Sequence, residues 1–408
     1  MSNTERTLTN RLRAIGPALV LAAVVVGPGS ITLSILVGGS FGYELLWVPV
    51  VATIFMITFT WLAARIGLVT GQTLFSVTRA KYGDVIALAG GGFSFLTILA
   101  FQTGNNAGIG FASAALFGGD PRFWAAVFTA LAVGFVWLPA LYEKVETLVK
   151  VVVGIMLVSF VGTLAIVGID FQPAIAGLVP RFPTTSSVFL ALGLAATNFS
   201  IAAAAYQTHL MKENSWGPER LVEEGVDTIL GIAILGVIVM TILLTSAGVL
   251  HGSDASATSA QGMASVLRPA VGDGAFYLFL IGFFFASLSS LVVNALIGAT
   301  LLVDGYGGDA SMEGRPVKLW SVAAMVLGLV VVLIAGGSPI ELLRTAQALA
   351  IIAFPLLGFL VIAISRDHEF MGEYRNSPAV TALAVLGYLA ILAIVYNYLR
   401  TLVPALPP

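Results

Sequence analysis

The chain contains no cysteine, which excludes disulfides, thiolate metal sites and cysteine nucleophiles. Charge is scarce as well: only 10% of the 408 residues are charged, where a soluble globular domain carries about 25%. A chain this poor in charge and 58% hydrophobic is an integral membrane protein. The apolar–polar alternation of a membrane barrel is missing, and apolar runs of about 20 residues recur instead, so the spans are helices. No phosphate-binding Gly-Lys loop or metal-protease His pair occurs. Of the three histidines, His251 and His368 fall in loops on opposite sides of the membrane, so no Ser-His-Asp set forms. The chain reads as no enzyme, with no nucleic-acid partner, no cofactor and the lipid bilayer as its surroundings.

Hydropathy places eleven spans near 14–38, 45–69, 86–116, 121–140, 146–169, 187–211, 226–250, 274–303, 318–336, 340–364 and 378–402. The stretch 1–13 is a polar, then basic tail, without a signal-peptide cleavage site after it. If the amino terminus is cytoplasmic, most Lys and Arg fall inside, among them Arg79, Lys81, Lys144, Lys150, Lys212, Arg220, Arg315 and Lys318. Arg122, Arg181, Arg268 and Arg400 remain outside. The positive-inside rule then puts the amino terminus in and the carboxyl terminus out, in a multi-pass protein of a bacterial-type inner membrane. No separate soluble domain interrupts the chain.

Two spans are anomalous. The first carries Gly27-Pro28-Gly29-Ser30 in its middle, and the sixth carries Asn198, Ser200, Tyr206, Gln207, Thr208 and His209 among small residues. A backbone break at membrane depth leaves unpaired polar groups and survives only where protein or a water-filled cavity surrounds it. Taken alone, the first is as readily a proline kink, and Ala202 to Ala205 as readily a close-packing helix face. Interruptions five spans apart, however, are the pointer to an inverted-repeat secondary transporter with a midplane site.

The sequence resembles the Nramp divalent-metal transporters along nearly its full length. The blocks that carry the likeness are "GGSFGYELLWV", "AARIGLVTGQTL", "AGLVPRFP", "FASLSSLVVNALIGATLLVDGY", "AQALAIIAFPLLG" and "MGEYRNS", in that order. The resemblance implies an all-α LeuT-type fold: two inverted repeats of five helices, here 14–169 and 187–364, plus an added helix at 378–402. It also implies first and sixth helices broken at the midplane.

The family holds its metal with a D-P-G-N motif in the first helix and an M-P-H motif in the sixth. Here the first is Gly27-Pro28-Gly29-Ser30, without the carboxylate, and the second aligns with Ala205-Tyr206-Gln207, without thioether or imidazole. The acid pair of the third helix is absent too, since Phe101, Gln102, Asn105 and Asn106 stand there. Gln347 matches a glutamine that approaches the substrate in the family. Transition metals want nitrogen, sulfur or carboxylate donors, and hard divalent ions normally at least one carboxylate.

These losses lead to the expectation of a small oxyanion, bicarbonate foremost. It would be held by helix N-termini around Gly27, Gly29, Ser30, Ile31 and Thr32 and by Ala202, Ala205, Tyr206, Gln207 and Gln347, with no metal site. The alternative is a magnesium-like transporter of a partly hydrated divalent cation. A non-transporting receptor on the same fold is a third reading. Three coupling modes fit: sodium on carbonyls at the breaks, protons on His209 with Asn198 nearby, or an uncoupled ion. Asn105, Asn106 and Asn294 read as helix–helix partners, Glu341 and Arg344 as a local pair, and Lys212 and Asp227 as interfacial groups. Oligomeric state is not legible.

Overall fold

The computed structural model describes residues 27–254, 257–335 and 338–402. The tail and the opening of the first span, through Val26, lie outside the described residues. Every regular element among those described is a helix. The first half runs α1 (Pro28–Phe41), α2 (Trp47–Thr70), α3 (Leu74–Tyr82), α4 (Asp84–Phe117), α5 (Pro121–Trp137) and α6 (Pro139–Val167). The second half runs α7 (Thr185–Asn198), α8 (Ile201–Glu213), α9 (Leu221–Leu250), α10 (Ala275–Gly305) and α11 (Arg315–Ile334). It ends with α12 (Pro339–Leu349), α13 (Phe354–Ser365) and α14 (Pro378–Leu402). Among the described residues, seven helical segments are long and apolar enough to cross a membrane, and four shorter apolar helices accompany them.

Local chemistry sets where these helices begin. Asp120 caps α5 by accepting from Arg122 N, with Pro121 in the first turn, and Ser338 caps α12 in the same way before Pro339. Thr184 and Ser187 form a capping box at the start of α7. The tenth span differs from the single run expected over 340–364. Ala350–Ala353 tighten into a 3-10 turn between α12 and α13. Pro355, with no N–H to give, is the second residue of α13 after that turn.

Helices close on one another through small residues. A Cβ on Gly91 of α4 would lie 2.8 Å from Gly305 Cα of α10, and one on Gly298 of α10 would press into Ile98 of α4. Contacts of charged side chains lie at the two ends of the bundle. At one end Arg65 donates to Asn376 Oδ1 at 2.8 Å and to the Tyr374 carbonyl, Lys81 pairs with Asp367, and Arg79 donates to the Asp304 carbonyl at 2.7 Å. At the other, Arg122 donates to the Ala335 carbonyl, and Trp47 Nε1 to that of Arg181. Lys81 and Asp367 lie outside the spans. Partial burial pulls the Lys81 ammonium down, but its hydrogen bond to Asp367 and the adjacent Tyr82 more than reverse this, so the net direction is up. The same hydrogen bond holds the Asp367 carboxyl below its ordinary range.

Candidate functional site

The described part of the first span starts at Gly27, whose backbone is extended, and becomes helical at Pro28. The sixth span is interrupted at Phe199 and Ser200, where α7 ends and α8 begins. The Ser200 hydroxyl accepts from Ala203 N at 3.3 Å and so caps α8. Phe199 is buried against Phe59 and Phe354, with ring centroids 5.4 and 5.2 Å away. The exposed backbone of the break is therefore packed within protein, as membrane depth requires.

Between the two starts lies a cavity of about 30 Å³, room for a water or two, or for one ion stripped of most of its shell. Its polar lining is Ser30, Asn105, Thr197, Ser200, Asn294 and Gln347, together with the backbone at Gly27 and Gly29. Ile98, Phe101, Ala203 and Ile297 complete it. No charged side chain of either sign is among the lining residues. Among the described residues the buried carboxylates are Glu224, Asp227 and Asp304, and none of them reaches the cavity.

Two glycines admit the Gln347 amide. A Cβ on Gly104 would stand 2.7 Å from Gln347 Nε2, and one on Gly29 would collide with the same amide. Asn105 is oriented by a relay along α4: it donates to Gln102 Oε1 at 3.2 Å, and Gln102 donates to the Leu291 carbonyl of α10 at 2.8 Å. With its NH2 engaged, Asn105 presents its carbonyl oxygen on the Gly27 side, 4.0 Å from where a Cβ would stand. Thr197 spends its hydroxyl proton on the Leu194 carbonyl, which leaves oxygen lone pairs for a ligand.

Gly27, Gly29, Ser30 and Gln347 are thus brought together. Ile31 and Thr32 are buried in α1 beyond the cavity. In the sixth span the break lies at 199–200, more than a turn before Ala205-Tyr206-Gln207, which are interior residues of α8. Ala202, Ala205, Tyr206 and Gln207 do not line the cavity; Ala203 and Ser200 do. Asn198 is buried beside the break but does not line it either. Reading missed Thr197 and Ser200 as ligand candidates and took Asn105 and Asn294 for packing amides. The Ser at the start of α8 was the available signal, as a helix N-cap. His209 stands near the far end of α8, 3.3 Å from Asp304, a residue the sequence did not bring forward.

Residues 18–401 match the family described as natural resistance-associated macrophage protein-like. The divalent metal cation transporter MntH of Verminephrobacter eiseniae is 26% identical over 390 residues, 93% of this chain and 87% of its own. That of Aeromonas hydrophila is 28% identical over 399 residues, 92% of each chain. In structure, a manganese transporter of Eremococcus coleocola superposes with a TM-score of 0.78 at 16% identity, covering 96% of this chain and 87% of that one. MhsT in complex with L-phenylalanine follows at 0.61 and 17%, covering 94% and 98%. These superpositions give the LeuT-type fold.

The relatives overturn the oxyanion expectation, and bicarbonate with it, since the two MntH proteins are named for divalent metal cations and the Eremococcus coleocola transporter for manganese. The geometry alone does not decide the sign: of the donors expected to cradle an anion, Thr32, Asn198, Tyr206 and Gln207 do not line the cavity, while Ser30 and Gln347 do. The oxygens that do line it suit a cation at least as well.

Proposed function

We propose, from the premise that the chain belongs to the Nramp family, that it is a secondary transporter of a divalent metal cation. The ion would be held between α1 and the α7–α8 break by neutral oxygens. The family is one of membrane transporters, and the chain is a multi-pass membrane protein.

The observation that carries the reading is the cavity lining. Ser30, Asn105, Thr197, Ser200, Asn294 and Gln347 converge from five parts of the fold on one ion-sized space, each with an oxygen to offer. Carbonyl, amide and hydroxyl oxygens are ligands for hard cations of the magnesium and manganese kind. Sulfur and imidazole, which favour softer metals, are absent from the lining. With no carboxylate to neutralise it, the ion keeps part of its water shell, and binding is weak and reversible, as passage requires. Orientation follows the charge asymmetry: the end that gathers Arg65, Arg79, Lys81 and Arg220 is cytoplasmic.

The test is uptake of manganese and of magnesium into proteoliposomes loaded with a metal-sensitive dye. Uptake of at least one above empty vesicles is expected. Absence of both, with the protein monodisperse and inserted, overturns the reading.

A further inference from the structure

On the lipid-facing side of the bundle, α2 and α9 leave an open groove of about 390 Å³ between them. Trp61 and Arg65 line it from α2, and Leu221, Gly225, Val226 and Ile229 from α9. None of these residues contributes to the ion cavity.

The floor of the groove is fixed by packing. Trp61 and Leu221 rest on Ala64, Leu68 and Met211. Gly225 lets the indole lie against α9, since a Cβ there would stand 3.3 Å from the Trp61 ring. From Leu221 to Ile229 the helix rises about 12 Å, so the apolar wall runs from the end of the bundle well into the membrane. Val226 and Ile229 are 53% and 51% exposed and so face lipid.

Arg65 is the one charged residue of the lining among the described residues, and it stands at the end of the groove nearest the loops. Its guanidinium donates to Asn376 Oδ1 at 2.8 Å and to the Tyr374 carbonyl, both in the segment that joins α13 to α14. Those partners are neutral, and among the described residues no carboxylate pairs with Arg65. Of its five N–H groups, donors remain for an anion. The guanidinium carbon lies 5.9 Å from the Trp61 ring, so the charge adjoins the apolar floor. The neighbouring charges are placed elsewhere: Arg220 pairs with Glu223 at 3.2 Å and sits 3.9 Å over Trp216, while Glu224 and Asp227 are buried and do not line the groove. No carboxylate therefore stands in the groove to repel an anion.

We propose that this groove holds one anionic phospholipid, with its phosphate on Arg65 and an acyl chain along Leu221, Val226 and Ile229. An unpaired guanidinium beside hydrocarbon is costly, and phosphate is the anion that the headgroup layer supplies. The planar fork of Arg meets a phosphate through two parallel N–H bonds. A free phosphate would leave the apolar wall uncovered, and a zwitterionic lipid brings a cation of its own beside the guanidinium. The groove and its charge together select a chain-bearing anion. Once bound, the lipid braces α2 against α9 and, through Arg65, against the segment between α13 and α14. The site depends neither on which ion is carried nor on which end of the bundle is cytoplasmic.

Native mass spectrometry tests this on the full-length protein, released from detergent that contains equal amounts of phosphatidylglycerol and phosphatidylcholine with the same chains. One retained phosphatidylglycerol, several-fold over phosphatidylcholine, is expected. Val226→Trp fills the groove and leaves every charge in place, and should cut that retention several-fold. Arg65→Gln should abolish the preference between the two lipids. Because it also loses ties to Asn376 and Tyr374, the lipid-facing Val226→Trp keeps the test decisive if Arg65→Gln fails to fold. Arg366→Gln, at an exposed position of the same end outside the groove, should keep the parent's ratio. Equal retention of the two lipids by the parent, or unchanged retention in Val226→Trp, overturns the proposal. A loss in Arg366→Gln as large as in Arg65→Gln overturns it too, since the preference would then be one of diffuse surface charge. So does a dimer that Val226→Trp dissociates, which would make a second copy the occupant. No metal is present in these measurements, so failure here is separate from failure of the transport reading.

Discussion

At the level of single residues, the proposed site depends on oxygens whose placement is set by the residues packed around them. Gln347 reaches the cavity because Gly29 and Gly104 leave room for its amide. Replacing Gln347 by Leu removes one oxygen ligand and should raise the half-saturating metal concentration about tenfold, which corresponds to ~1.4 kcal/mol. Gly104→Ala should move it the same way while keeping the Gln347 side chain itself, since its Cβ would push the amide aside. Uptake titrations on both variants check this; unchanged curves in both would remove Gln347 from the site. Glycine and proline made the Gly27–Ser30 break legible in the sequence. Asn105 and Asn294 were not legible as lining residues, because a buried amide on a long membrane helix is ordinarily a packing partner. Only the relay through Gln102 sets the Asn105 oxygen on the Gly27 side of the cavity.

Among elements, the interrupted sixth span is the part that reading placed wrongly. The sequence Asn198-Phe199-Ser200 has no glycine or proline; only Ser200, as an N-cap type, marks a break there, and the Ala205-Tyr206-Gln207 alignment set it more than a turn late. What fixes the break is packing: Phe199 fills the space between Phe59 and Phe354. Phe199→Ala should cost about 3–5 kcal/mol and lower the melting temperature in detergent or lipid. A variant as stable as the parent would mean that the break is held by other contacts. The short helix α3 is tied to the α13 end by Lys81 and Asp367. The lowered Asp367 carboxyl contributes stability above its unfolded value, near 3.9, and that contribution fades as pH falls through the folded value. The raised Lys81 ammonium contributes below its unfolded value, and loses it as pH rises through the folded one. Both contributions are present at neutrality. Lys81→Met should therefore destabilise by at most about 1 kcal/mol at pH 7, because the pair is partly solvated. The difference from the parent should shrink in acid melts below about pH 4; a constant difference would show that packing, not charge, is lost.

For the whole molecule, the spans were legible because long apolar runs leave a membrane helix few alternatives. The charge asymmetry could be read for the same reason, since Lys and Arg crowd the loops at one end of the bundle. The sign of the cargo was not. An amide offers a carbonyl to a cation and an NH2 to an anion, and a hydroxyl serves either, so a lining of Asn, Gln, Ser and Thr fixes no charge from composition. The missing aspartate suggested an anion; the named functions of the relatives, and the distance of Tyr206 and Gln207 from the break, removed that reading. Neutral oxygens at the start of α1 and at the α7–α8 break are thus proposed to hold a divalent cation. Anomalous scattering from crystals soaked in manganese tests it most directly. A peak between Gly29, Asn105, Ser200 and Gln347, with oxygens about 2.0–2.6 Å away, is the predicted result. Manganese bound only elsewhere, for example beside Glu224 and Asp227, with the cavity empty, would contradict it.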